Sequence, residues 1–320
     1  MKTHPARQQE WARKPPRGLR LSGAILIALL LSAPGAVSAT NFSPWQSATL
    51  EVGINSPQAD GCPIESPNGL SLFIASTRPG AVGGTSDPND IWVAHRDAKD
   101  APWSPPEHLP PPVNSAAADF CPTPLNGNWL LFVSARGGIG SCGAGDMYIT
   151  RDNPAHGWMT PVNLGCNATG DGPNFAGGEF SPSLVETAEG VLLYFSSTGI
   201  DGLDQDIYVS RQRADGSFAP ATPVEELNTA ANDQMPNVSR DGREIVFSSD
   251  RIGTLGGMDV YTAHRESTSE AWSTPVNVGP AVNTAAAETR ASLSGDGARL
   301  HFGRLGDIWV SSRSKITASD

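Results

Sequence analysis

Short, mostly apolar runs recur along the chain in pairs. The first member of each pair is Leu70–Ile74, Trp129–Val133, Val191–Phe195, Glu244–Phe247 or Arg299–Phe302. The second is a tetrapeptide led by aspartate: Asp90-Ile91-Trp92-Val93, Asp146-Met147-Tyr148-Ile149, Asp206-Ile207-Tyr208-Val209, Asp259-Val260-Tyr261-Thr262 and Asp307-Ile308-Trp309-Val310. Successive leading aspartates are 56, 60, 53 and 48 residues apart. Asn68-Gly69, Asn126-Gly127, Asp241-Gly242 and Asp296-Gly297 precede four of the first runs, and Glu189-Gly190 precedes the third. Asn-Gly and Asp-Gly readily adopt the positive φ of a tight hairpin turn, so a further strand is expected just before each turn. After the tetrapeptide come Trp103-Ser104-Pro105, Trp158-Met159-Thr160-Pro161, Phe218-Ala219-Pro220 and Trp272-Ser273-Thr274-Pro275, whose prolines suit an outer edge strand. Each unit therefore reads as four short antiparallel strands. Radial repetition of such units makes a β-propeller, and the fold class predicted is all-β with five blades.

The fifth unit stops at Ser312-Arg313 without its outer strand. Matching segments stand at the other end, Phe42-Ser43-Pro44-Trp45 and then Val52-Gly53-Ile54-Asn55-Ser56. An N-terminal strand completing the last blade would remove the open edge of the ring. The expected organisation is one propeller domain over 40–313 with a short tail over 314–320. Residues 1–39 have the order of a secretory signal peptide: a basic lead, the apolar run Ala24–Leu31, and Val37-Ser38-Ala39, with cleavage expected after Ala39. The apolar run is too short to span a membrane, and Pro34-Gly35 stands just beyond it as a break.

Composition narrows the class further. Gly (34) and Pro (27) recur too often for a helical bundle, whereas a hydrophobic fraction of 38% suffices for a core. The chain carries a formal charge of −11; residues 1–39 contribute six bases and one acid, which leaves −16 for the remainder. Such a surface repels nucleic acid and anionic lipid. The expected localisation is periplasmic or secreted, with no membrane insertion after signal removal.

Met235-Pro236-Asn237-Val238-Ser239-Arg240-Asp241-Gly242, followed by Ile245-Val246-Phe247-Ser248-Ser249-Asp250-Arg251 and Asp259-Val260-Tyr261, resembles the WD-like propeller repeat of the TolB-type family. The resemblance covers nearly all of the chain after residue 39. It implies an exported bacterial β-propeller in a group whose members are commonly non-enzymatic binding proteins. This chain has five units where the family's namesake has six, and it lacks that protein's N-terminal domain. The Tol–Pal envelope role is therefore not carried over, since fold analogy is a weak warrant for function.

Superposing the units places one carboxylate at the start of each innermost strand: Asp60, Asp119, Glu179, Asp233 and Glu288. They are expected at one mouth of the central channel, with Arg78, Arg136 and Arg251 as partners on that face. Two roles are open, a charged binding pocket or a set of bonds holding each blade. The tetrapeptide aspartates are expected to fix local loops, and the group Asp201, Asp204 and Asp206 lacks the spacing of a calcium loop. Four cysteines in an exported chain favour disulfides, for which three connectivities exist. Cys62 and Cys121 share one position in successive units, so Cys62–Cys121 and Cys142–Cys166 are the expected bonds. His95 and His264 read as solvated strand ends, and no histidine lies in a nucleophile-elbow context. Neither a metal nor a cofactor is expected.

These features point to a monomeric, non-catalytic scaffold that recognises an envelope or extracellular protein, peptide or glycan at the acidic channel mouth. The alternative is a glycoside hydrolase using channel-mouth carboxylates, which would require acids in unlike environments.

Overall fold

The computed structural model describes residues 42–80, 82, 89–138, 140–199 and 204–316. The signal-peptide assignment, Asp201 and the last four residues of the tail lie outside these. Strand β1 (Thr49–Leu50) is followed by blade one: β2 (Asp60–Glu65), β3 (Ser71–Ser76), β4 (Asp90–His95) and β5 (Glu107–His108). Blade two comprises β6 (Asp119–Leu125), β7 (Trp129–Ser134), β8 (Asp146–Asn153) and β10 (Val162–Asn163), with β9 (Gly157–Trp158) extending β8 as a small hairpin. Blade three comprises β11 (Glu179–Thr187), β12 (Gly190–Ser197), β13 (Asp206–Arg211) and β14 (Thr222–Pro223). Blade four comprises β15 (Asp233–Val238), β16 (Glu244–Ser249), β17 (Asp259–His264) and β18 (Val276–Asn277). Blade five comprises β19 (Glu288–Leu293), β20 (Arg299–Arg304) and β21 (Asp307–Ser312), with β1 as its outer strand. The chain is a five-bladed β-propeller.

Each blade buries one face against the next, which is why its strands are apolar at nearly every position rather than at alternate ones. Five separate hydrophobic clusters result, one per blade interface. Tyr194 and Phe247 meet between blades three and four, for example, and Val246 and Phe302 between blades four and five. The innermost strands touch in sequence around the axis, and β19 closes on β2.

All five innermost strands carry a bulge at the same place. Pairing with the second strand shifts between Gly61 and Ile64, Phe120 and Thr123, Phe180 and Ser183, Gln234 and Asn237, and Thr289 and Ser292. Inside each shift one non-glycine residue has positive φ: Cys62 (49°), Cys121 (49°), Ser181 (54°), Met235 (57°) and Arg290 (52°). This backbone region is costly for a side-chain-bearing residue, so its fivefold recurrence reflects what the surrounding blade imposes.

Two local expectations are corrected. Closure does come from the N-terminal segment, but the strand is Thr49–Leu50, paired with Val310 and Trp309, and lies between the two segments expected to supply it. The outer strands of blades one to four begin after the proline-containing segments, and all are only two residues long. Proline has no N–H to donate to a ladder and is tolerated only at the sheet edge, as Pro223 is opposite Tyr208 in β14; the segments before these strands run as connectors.

Candidate functional site

The five carboxylates occupy the first positions of β2, β6, β11, β15 and β19, at the end of each hairpin opposite its Asn-Gly, Asp-Gly or, in blade three, Glu-Gly turn. All are buried. In four blades the surroundings repeat closely. Asp60 accepts from the Ser56 N–H (2.6 Å) and hydroxyl (2.8 Å), Asp119 from those of Ser115, Asp233 from those of Thr229, and Glu288 from those of Thr284. An arginine supplies the countercharge: Arg78 to Asp60 (2.5 Å), Arg136 to Asp119 (2.6 Å), Arg251 to Asp233, and Arg304 to Glu288 (2.7 Å). The same arginines donate to the carbonyls of Ile54, Val113, Leu227 and Val282, and so pin the loop that joins one blade to the next. Each also lies over aromatic rings of its own blade, as Arg251 does over Phe247 and Tyr261, both at 5.0 Å.

The residue after each of those four carbonyls is asparagine, and it brackets the third strand. Asn55, Asn114, Asn228 and Asn283 accept from the N–H of Ile308, Ile91, Ile207 and Val260; Asn174 does the same for Met147. Asparagine, a Ser or Thr, three residues and an acid thus form a repeated clasp in four units. Its spacing is visible in the chain as Asn55-Ser56…Asp60, yet a reading centred on the strands passed over it. Arg304 was missed for a different reason: it stands opposite Glu288, where the other blades place serine, two residues before the usual arginine position.

Blade three departs from this scheme twice. Phe175 replaces the Ser or Thr, and Gly199 occupies the arginine position. Gly199 has φ +63°, and a Cβ there would meet the Tyr208 hydroxyl at 2.7 Å. The Phe175 ring packs on Tyr208 (4.7 Å) and Phe195 (6.4 Å), counterparts of the two rings that carry Arg251 in blade four. An apolar ring has replaced a guanidinium. Glu179 keeps only the Phe175 N–H (2.9 Å) and the Ser197 hydroxyl (3.0 Å), both on Oε1, while Oε2 has no hydrogen-bond partner among the described residues. Burial pushes its carboxyl up to about 8, against the pull of those two hydrogen bonds.

The tetrapeptide aspartates hold local loops. Asp146 accepts from the N–H groups of Cys142 (2.8 Å) and Gly143 (3.0 Å), and Asp259 from that of Leu255 (2.8 Å). Asp90 meets His108 at 2.6 Å. His95 and His264 are exposed at strand ends, whereas His301 is buried against Glu51 (2.9 Å).

Cys142 and Cys166 form a disulfide that ties the loop before β8 to the segment after β10. Cys62 and Cys121, expected as the second bond, are instead free thiols with their sulfurs 2.8 Å apart. The bulges of β2 and β6 bring the two side chains together across the blade boundary but leave them unbonded. Ser181 lies 3.6 Å further along from Cys121, and Arg290 reaches across from blade five toward Pro122 and Thr123 of blade two.

The face bearing the acids also carries the three most exposed large apolar side chains among the described residues: Ile252 in the β16–β17 loop, Leu305 in the β20–β21 turn, and Val52 after β1. On the opposite face, a groove of about 940 Å³ runs between blades four and five. Arg313 forms part of its wall, paired with Glu244 (2.6 Å) and held between Phe42 (3.8 Å) and Trp45 (4.2 Å).

No family model matches the sequence, and no curated protein matches it significantly. Similar solved structures are numerous. A glycoside hydrolase matches with a TM-score of 0.55 at 10% identity, covering 87% of this chain and 94% of its own. The α-L-arabinofuranosidase of Lactobacillus brevis matches with a TM-score of 0.52 at 10% identity, covering 85% and 95%. A TolB-type protein from Agrobacterium tumefaciens matches with a TM-score of 0.43 at 16% identity, covering 78% and 71%. What this chain shares with the first two of these proteins is the fold.

Proposed function

We propose that this protein is an exported, non-catalytic propeller that docks a protein partner on the face bearing the acid ring. The observation that carries this reading is the pairing of an apolar rim with buried acids. Ile252, Leu305 and Val52 project from that face, whereas four of the five ring carboxylates are paired with arginines within the blades and the fifth, Glu179, is fully buried. Exposed apolar side chains on a rigid, polar surface suit the anchors of a protein interface. On this reading the arginine clasps hold the loops that present those anchors. The Cys142–Cys166 disulfide accords with export.

The test is capture from the native envelope with a photoreactive residue at position 252 or 305. Both positions should label the same protein, a label at Lys315 on the opposite face should not, and Ile252→Asp/Leu305→Asp should abolish capture. Equal labelling from Lys315, or binding to a glycan array that survives the double substitution, would sink the proposal.

A second reading, glycoside hydrolysis, has one observation in its favour. Glu179 holds its proton near neutral pH, as a general acid must. Against it, Glu179 is fully buried, and the other ring acids, apart from a trace at Asp60, are equally closed to a sugar. Turnover of an arabinoside or xyloside panel, lost in Glu179→Gln, would establish the enzyme reading over the binding one.

A further inference from the structure

The channel-facing bulges bring a thiol pair beside a buried cation. Cys121 is 1% exposed, and its sulfur lies 2.8 Å from that of Cys62, which is partly exposed, and 3.6 Å from the Ser181 hydroxyl. Arg290 is also only 1% exposed. Unlike the four clasp arginines it has no carboxylate partner among the described residues; its Nη2 makes only long contacts to the Pro122 carbonyl (3.5 Å) and Thr123 Oγ1 (3.4 Å). Its Nε and Nη1 have no hydrogen-bond partner among the described residues. A buried guanidinium without a countercharge is costly, and an anion close by offsets that cost. The groups at hand that could become that anion are the two thiols.

We infer that Cys62 and Cys121 form a thiol–disulfide exchange site in the axial channel, with Arg290 stabilising the reduced pair as a Cys121 thiolate. The two sulfurs divide the work by exposure. Cys62 passes its proton to the Cys121 thiolate across the 2.8 Å contact and attacks a small disulfide oxidant such as oxidised glutathione; this forms a Cys62–glutathione mixed disulfide and releases one glutathione thiolate, which takes that proton from Cys121. The Cys121 thiolate then attacks the Cys62 sulfur and expels the second glutathione. One thiol and one thiolate are oxidised to a disulfide and one glutathione disulfide is reduced to two glutathiones; the first takes the single proton of the pair, and the second leaves as a thiolate that takes its proton from water. In reverse, an external thiolate attacks Cys62, and Cys121 departs as the thiolate.

Burial alone would raise the Cys121 thiol. The Cys62 S–H, the Arg290 charge and the Ser181 hydroxyl overcome it and bring Cys121 down to about 6, while Cys62 is raised. A stabilised thiolate is a good leaving group and makes the corresponding disulfide easier to reduce. The channel pair should therefore be labile, whereas Cys142–Cys166, which ties the loop before β8 to the segment after β10, should behave as a structural staple.

The mature protein would be equilibrated in glutathione buffers of increasing reducing strength, quenched in acid, alkylated and mapped by mass spectrometry. In wild type, Cys62–Cys121 should reach half-reduction in a buffer at least tenfold less reducing than Cys142–Cys166 requires. Arg290→Gln should move the channel pair about tenfold toward stronger reductant, equal to about 30 mV for this two-electron couple, and Arg290→Lys should recover part of the shift. Under oxidised glutathione, Cys121→Ser should accumulate the mixed disulfide on Cys62, and Cys62→Ser should leave Cys121 unmodified. Equal resistance of the two disulfides in wild type would overturn the inference, a measurement that stands even if the Arg290 variants do not fold. An unchanged half-point in folded Arg290→Gln would overturn it too, as would glutathionylation of Cys121 in Cys62→Ser.

Discussion

Ser197 donates its hydroxyl to Glu179 across 3.0 Å, at the position where blades one, two and four use a serine to hold an arginine. The serine has exchanged a cation for an acid, and the acid is left without a countercharge. Its raised pKa has a definite consequence for stability. Between its ordinary value of 4.5 and about 8, the folded protein keeps a proton that the unfolded chain has released. This contribution to stability is complete below about pH 4.5 and is lost as pH rises through about 8. Glu179→Gln mimics the protonated form and should remove that slope. Denaturant melts should give near-equal stabilities for variant and wild type at pH 4.5, and a variant more stable by on the order of 3–5 kcal/mol at pH 8.

The paired blades should answer differently. Arg251→Ala leaves Asp233 buried without a countercharge, with only the Thr229 N–H and hydroxyl, and it strips the cation from Phe247 and Tyr261. A loss of about 3–5 kcal/mol is expected. Asp233→Asn combined with Arg251→Met should recover a large part of it, because no charge is then buried alone. Equilibrium unfolding of the single and double variants measures the coupling directly.

The asparagine clasp can be tested apart from charge. Asn283 accepts from the Val260 N–H (2.8 Å) and donates to the Val260 carbonyl (2.9 Å) and to Asn277 (2.8 Å). Asn283→Ala orphans the Val260 N–H in a buried setting, while the Val260 carbonyl keeps the Val278 N–H (3.1 Å), and should cost about 1–3 kcal/mol. Faster hydrogen exchange at the Val260 amide, with blade one unaffected, would locate the damage.

The Cys142–Cys166 bond closes a loop of sequence separation 24. Replacing both cysteines with serine should lower stability by about 3 kcal/mol through the freedom returned to the unfolded chain. The double variant should still form the propeller, since five apolar blade interfaces remain, and its circular dichroism should match wild type at low temperature.

The architecture was legible because it rests on local signals repeated five times. Hairpin dipeptides such as Asp241-Gly242, tetrapeptides such as Asp259-Val260-Tyr261-Thr262 and the missing last strand specify strands, blades and ring closure without long-range knowledge. The acids and three of their arginines were legible for the same reason, because each pairs within its own blade at a near-constant spacing. What the chain could not disclose depends on groups that meet only when the ring closes. Whether Cys62 and Cys121 bond or merely touch is set by two bulges on neighbouring blades. Arg290 reaches residues more than 160 positions away, and nothing in its surroundings along the chain marks it as an unpaired cation. Glu179 sits at the same position as its four counterparts in the repeat, yet Phe175 and Gly199 on either side of it in the chain exclude the arginine the others have. Repetition makes the scaffold readable from sequence, whereas burial and countercharge, which decide the chemistry, are properties of the closed ring.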